Sequence, residues 1–224
     1  MLPVNTILQG ERYKLLLGDF REVGKEIEDN SIDMIFTDPE YSSDKLPLYG
    51  NLADFAARVL KEGGRLITYT NTTKIPEICA MLGSRLSFTG IFGVRQHGQL
   101  AILYNTRIMC TLKFLLLYVK GKFISPSPLI NNYISSRHQG KAYHPWQQST
   151  IEAAYLISHL TKKGDTILDP MMGSGTSGMA ALGHGRKFIG IDHDPKAFKT
   201  AEERLSATIY QVTELTSFTK KEEE

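Results

Sequence analysis

Asp169-Pro170-Met171-Met172-Gly173-Ser174-Gly175-Thr176 stands between a short apolar run, Thr166 to Leu168, that predicts a strand, and a helical stretch, Thr176 to Leu182. Glycine lets a backbone turn tightly and approach a ligand closely. A helix start offers N–H groups that have no partner within the helix. About twenty residues beyond Asp169, a second predicted strand, Lys187 to Ile191, runs into Asp192. A carboxylate at that place accepts from both hydroxyls of a ribose. Strand, glycine loop, helix, strand and acid together predict a nucleoside-bearing ligand rather than an ordinary tight turn and a helix cap. No Gly-Lys-Ser/Thr follows the loop, so it is not a triphosphate cradle. Asp169-Pro170 ahead of the glycines also differs from an all-glycine pyrophosphate turn. Asp169 would repel phosphate and suit a ligand with positive charge.

Outward from this loop the chain alternates strand-like and helix-like segments. Tyr13 to Leu17, Ile32 to Thr37 and Arg65 to Thr70 read as strands, as do Ser87 to Val94 and Leu112 to Lys120. A short helix is predicted near Glu22 to Ile27 and another near Ile75 to Leu82. Asn51 is expected to cap a helix with apolar positions Leu52, Phe55, Ala56, Val59 and Leu60, stopped by Gly63-Gly64. Thr150 to Leu160 is helical, and Asp194-Pro195 opens a last helix, cap then proline. Strands alternating with helices imply a mainly parallel sheet covered on both faces.

The 224 residues, 42% hydrophobic and 22% charged, suit one globular domain. The longest apolar run, Phe114 to Val119, is far short of the roughly twenty residues of a membrane span. The N-terminus does not read as a signal peptide. Cys79 and Cys110 predict neither a disulfide framework nor a metal site, but two reduced structural thiols in a cytoplasmic protein. A frayed tail is expected from Thr219. The net charge of +2 is unevenly spread. Between Glu77 and Glu152 there is no acidic residue, while Arg85, Arg95, Arg107, Lys113, Lys120, Lys122, Arg137 and Lys141 fall there. Clustered cations of this kind release counterions from a polyanion, so nucleic-acid contact is expected from this segment.

A second motif, Thr37-Asp38-Pro39-Glu40-Tyr41, ends the Ile32 strand. With it the chain resembles the DNA amino-methyltransferases, whose hallmarks are Asp-Pro-Pro-Tyr after a strand and an Asp-Pro-Phe-x-Gly-Ser-Gly-Thr loop. The catalytic motif precedes the cofactor loop, the order of that family's beta group. Leu17-Gly18-Asp19, Asn30-Ser31-Ile32-Asp33-Met34-Ile35 and His144-Pro145-Trp146-Gln147-Gln148 also fit, so the resemblance runs from about Lys14 to Arg204. It implies an α/β, Rossmann-like S-adenosylmethionine-dependent methyltransferase fold, mostly parallel with an antiparallel hairpin from the Ser87 and Leu112 regions. One domain, 1–218, with a short basic target-recognition segment at about 95–143 and a disordered tail at 219–224, is the expected organisation.

The resemblance also implies roles. Asp38 and the carbonyl of Pro39 would accept from an exocyclic amine and localise its lone pair, stabilising the transition state more than the ground state. Tyr41 would stack on a base swung out of the duplex. Asp19 and Asp192 would hold the adenine amine and ribose hydroxyls of S-adenosylmethionine, with Phe20 against the adenine ring. Asp169, Pro170, Met171, Gly173, Ser174, Gly175 and Thr176 would face its methionine part, next to Asp38, and His144 and Trp146 would shape the pocket. Arg95, His97, Arg107, Lys113, Arg137 and Lys141 would meet double-stranded DNA. No metal is implied. A homodimer or a specificity subunit is a further partner the short recognition segment suggests, and the chain is expected near the nucleoid. Adenine N6 is preferred over cytosine N4, because the family's cytosine enzymes often have Ser at the place of Asp38. Glu40 departs from the family's second proline. The alternatives are therefore a cofactor- and nucleic-acid-binding module without turnover, and a methyltransferase acting on RNA or a protein amide. A nicotinamide enzyme sharing the fold is a more distant reading.

Overall fold

The computed structural model describes residues 6–40, 43–95, 101–103, 107–123, 129–135 and 150–221. The strands are β1 (Ile7–Gln9), β2 (Tyr13–Leu17), β3 (Ile32–Thr37), β4 (Leu60–Thr70), β5 (Ser87–Arg95), β6 (Ala101–Leu103), β7 (Ile108–Cys110), β8 (Leu112–Val119), β9 (Tyr133–Ser135), β10 (Thr166–Asp169) and β11 (Lys187–Asp192). The helices are α1 (Phe20–Val23), α2 (Leu48–Val59), α3 (Ile75–Gly83), α4 (Thr150–Leu160), α5 (Thr176–Gly183) and α6 (Pro195–Lys221). The main sheet has the order β1-β2-β11-β10-β3-β4-β8-β5-β9, and β6 and β7 pair only with each other. Strands β2, β11, β10, β3 and β4 are mutually parallel. The antiparallel pairs β4–β8 and β8–β5 realise the expected hairpin region.

The central strands β2, β3, β10 and β11 are mostly apolar because both faces of the sheet are covered there. One face packs Leu15, Met34, Phe36, Ile67, Tyr69 and Leu115 under α4, α5 and α6. The other packs Leu16, Ile35, Leu66 and Leu116 under α1, α2 and α3. The chain leaves β10 toward β11 but leaves β3 toward β4. Their carboxyl ends therefore flank the point where the winding reverses, which is where open α/β sheets bind ligands.

Two local expectations are corrected. Helix α2 begins at Leu48, three residues before Asn51, because the Pro47 carbonyl already accepts from Gly50 and Asn51. It ends at Val59 when Leu60 turns extended, so Leu60 belongs to β4. Gly63-Gly64 then sit inside β4 rather than stopping the helix: Gly63 has φ +76°, and the β3–β4 register shifts between Ile32 and Met34. Strands β1, β6, β7 and β9, three residues each, are too short for their alternation to be read. The last helix continues to Lys221, past Thr219 where the composition predicts fraying, and residues 222–224 lie outside the described ones. Cys79 and Cys110 are both free and half-buried. Among the described residues, no helix is long and apolar enough to cross a membrane.

Candidate active site at the carboxyl edge of the sheet

Four carboxylates lie on neighbouring strand ends at one edge. Asp19 follows β2, Asp192 ends β11, Asp169 ends β10 and Asp38 follows β3. The parallel register aligns Leu17 with Asp192 and Asp169 with Gly190, so these ends are level.

Asp192, 8% exposed, accepts from the Gly173 N–H and the Asp194 N–H, both at 2.8 Å. It thus ties the glycine loop to the end of β11. Burial pushes its carboxyl upward against those hydrogen bonds. Asp19 caps α1 and takes a fork from Arg21, whose Nε and Nη2 lie 2.9 and 2.5 Å from its oxygens. That hydrogen bonding holds its carboxyl below the usual value. The Gly18 N–H donates to the Asp192 carbonyl at 2.8 Å, joining the two acids through backbone.

Asp169 is turned inward. It is 5% exposed, and it accepts from the Ser177 hydroxyl at 2.5 Å and the Met171 N–H at 3.1 Å. Its carboxyl is pushed up to about 7, first by burial, with the Ser177 hydroxyl and the Met171 N–H opposing and Asp192 adding to the rise. Its place is inside the loop it organises, whereas the sequence reading put it toward a cationic ligand. Between about pH 4 and 7 the folded chain holds a proton here that the unfolded chain has released, so stability falls as pH rises through that window. Asp169→Asn keeps an acceptor for Met171 and cannot ionise. Denaturant midpoints from pH 5 to 8 are expected to fall less steeply in this variant than in the wild type. Parallel slopes would show that Asp169 does not govern the effect.

The loop is shaped by close packing. Gly173 has φ +52°, and a side chain there would meet nothing within 4 Å, so the space over it is open. Gly175, φ +77°, lies under α6, where a Cβ would come within 3.0 Å of Ala201. Pro170, Ser174 and Gly175 are buried, while Met171 and Thr176 are half-buried. Arg204, from α6, donates to both the carbonyl and the hydroxyl of Ser174. Ser177 and Arg204 were not legible as site residues. Arg204 is 30 positions from the serine it holds, and no local pattern links them.

Across the switch point, Asp38 is half-buried and Pro39 buried, while Glu40 is exposed with its carboxylate 4.0 Å from Lys45. The residue that departs from the proline pattern is therefore a surface side chain. Phe20 is 4% exposed with its ring 5.5 Å from that of Phe55, so it is a core aromatic rather than a wall of an open pocket. The basic segment does not share one face. Lys120 bonds Asn30 and the Leu60 carbonyl, and Arg85 pairs with Asp54, both toward the opposite end of the sheet. Arg95 and Lys113 lie at the Asp38 end, where β5 finishes and β8 begins, and Arg107 is exposed in the connection between those strands. Tyr41, His97, Arg137, Lys141, His144 and Trp146 lie outside the described residues. An apolar cavity of about 350 Å³, lined by Ile91, Phe92, Phe123, Leu129 and Ile130, contains none of the candidate residues.

The family model for N6/N4 DNA methylases, described as DNA methylase, matches residues 126–203, which take in the glycine loop and Asp192. That match takes in about a third of the chain and marks a similarity to DNA methylases over this part. The type II methyltransferase M2.DpnII of Streptococcus pneumoniae is 47% identical over 64 residues, 29% of this chain and 24% of that protein. The chain thus spans about a quarter of the length of that curated relative in the match. The type II methyltransferase M.BamHI of Bacillus amyloliquefaciens is 25% identical over 230 residues, covering 80% of this chain and 54% of that protein. The solved M1.HpyAVI–SAM complex superposes with a TM-score of 0.74 at 26% identity, covering 86% of this chain and 98% of that one. The methyltransferase fold expected from the sequence is the one observed.

Proposed function

We propose that this chain transfers the methyl group of S-adenosylmethionine to an exocyclic amine of double-stranded DNA, adenine N6 in preference to cytosine N4. The observation that carries the reading is the shared edge of the sheet at the switch point, where Asp38 follows β3, the glycine loop follows its neighbour β10, and Asp192 holds Gly173. The residues fit the cofactor: an open space over Gly173, with two carboxylates, Asp19 and Asp192, side by side next to it. When bound, S-adenosylmethionine supplies an electrophilic methyl on a sulfonium.

The chain's own residues supply position and acceptors. Both oxygens of Asp192 hold backbone N–H groups and keep lone pairs for ribose hydroxyls. Asp38 accepts from the target amine and draws its lone pair out of conjugation, with the Pro39 carbonyl as second acceptor. Tyr41 stacks on the extruded base. Arg95, Arg107 and Lys113, with the cations at His97, Arg137 and Lys141, meet phosphates, which position the duplex without reading it. Because Glu40 faces solvent beside Lys45, it leaves the acceptor pair intact and gives no support to a module without turnover. The test of base choice is methyl transfer to alternating duplexes of A·T only and G·C only. Label is expected in the A·T duplex. Label confined to the G·C duplex would assign cytosine N4 instead.

A further inference from the structure

Tyr69 is placed beside Asp38 with a polar group that the fold does not use. Its ring is 1% exposed, meets Phe36 edge-on with centroids 6.1 Å apart, and lies 5.8 Å from the Lys113 ammonium. Its main-chain oxygen accepts from the Tyr49 hydroxyl at 3.0 Å. Its own hydroxyl is buried and has no hydrogen-bond partner among the described residues. Such a group is a net cost to folding, and a phenylalanine would pack in its place without that cost.

The surroundings indicate what the hydroxyl serves. Thr37 pairs with Thr68, so Asp38 and Tyr69 stand on the next rung of adjoining parallel strands. Alternation puts Asp38 on the face of Phe36, the face that Tyr69 shares. Helix α4 covers this face and brings Glu152, 5% exposed. The charged and titratable groups around the residue are thus Asp38 at the end of β3, Glu152 on α4, Lys113 on β8, and Tyr49 of α2 at its backbone. Burial, reinforced by the carboxylates of Glu152 and Asp38, pushes the phenol well above its ordinary value, so it remains a donor at every working pH.

We propose that Tyr69 is a positioning residue for Asp38: in the working complex its O–H donates to one oxygen of that carboxylate and leaves the other oriented toward the target amine. This rests on the role proposed for Asp38.

Tyr69→Phe removes only the hydroxyl. Its melting temperature is expected to equal or exceed that of the wild type, with S-adenosylmethionine affinity unchanged. Turnover on duplex DNA is expected to fall about 10- to 100-fold with both KM values unchanged, less than the loss of a group that itself faces the developing charge, because Tyr69 acts through Asp38. The acidic limb of the kcat–pH profile should move upward, because a hydrogen bond to the charged form lowers a carboxyl's pKa and its loss raises it. A merely structural tyrosine would not move that limb. Turnover within twofold of wild type in the variant would overturn the inference, with the methyl-transfer reading untouched. Lower stability or failure to fold would overturn it too, by showing that the hydroxyl has a structural partner. A wild-type chain that binds S-adenosylmethionine but transfers nothing would instead remove the role of Asp38, and this inference with it.

Discussion

Asp38→Ala is expected to bind S-adenosylmethionine as the wild type does and to transfer its methyl group to DNA about 10²- to 10³-fold more slowly, the usual effect of removing one group aimed at developing charge. The two halves of this expectation come from different parts of the fold. Asp38 lies beyond the end of β3 and is half-buried, whereas the glycine loop is held by Asp192, Arg204 and Asp169. Cofactor affinity from calorimetry and single-turnover transfer separate the two. A variant that keeps its turnover would remove Asp38 from the chemistry. One that loses cofactor affinity to the same degree as turnover would make it a binding residue only.

Asp192→Ala is expected to have the opposite signature. The carboxylate holds the N–H groups of Gly173 and Asp194 from a nearly buried position, and its removal leaves both without that acceptor. Each orphaned N–H costs about 1–3 kcal/mol, so a clear fall in melting temperature is expected. The loop also loses the tie that sets the path of Gly173, and the ribose loses its acceptor. S-adenosylmethionine affinity should therefore fall about 100-fold or more, roughly 2.7 kcal/mol. Turnover at saturating cofactor should recover far more than it does in Asp38→Ala. An unchanged affinity would show that Asp192 serves the fold alone.

What was legible in the chain is what local pattern encodes. The strand Ile32–Thr37 and the helix Thr150–Leu160 were read to the residue, because a buried strand and an apolar helical stretch announce themselves within one window. The four acids were legible because each follows a strand, and parallel strands bring such ends to one edge. The inward turn of Asp169 was not, since it depends on the Ser177 hydroxyl, eight residues on and within the next helix. The burial of Phe20 was not legible either, since it comes from the ring of Phe55, on another element. Arg204 and Tyr69 act through contacts between elements far apart in the chain, and their own neighbours in sequence give no sign of it. The basic segment was legible as composition, but antiparallel pairing of β8 sends Lys120 to one end of the sheet and Lys113 to the other.

Asp38 and the glycine loop are proposed to form one site for methyl transfer to a base amine. Incubation of the wild-type chain with S-adenosylmethionine labelled in its methyl group and mixed-sequence duplex DNA, followed by separation of the digested nucleosides, tests it most directly. Label in N6-methyladenine, absent with Asp38→Ala, is the predicted result. Cofactor bound with no label in any nucleoside would contradict it.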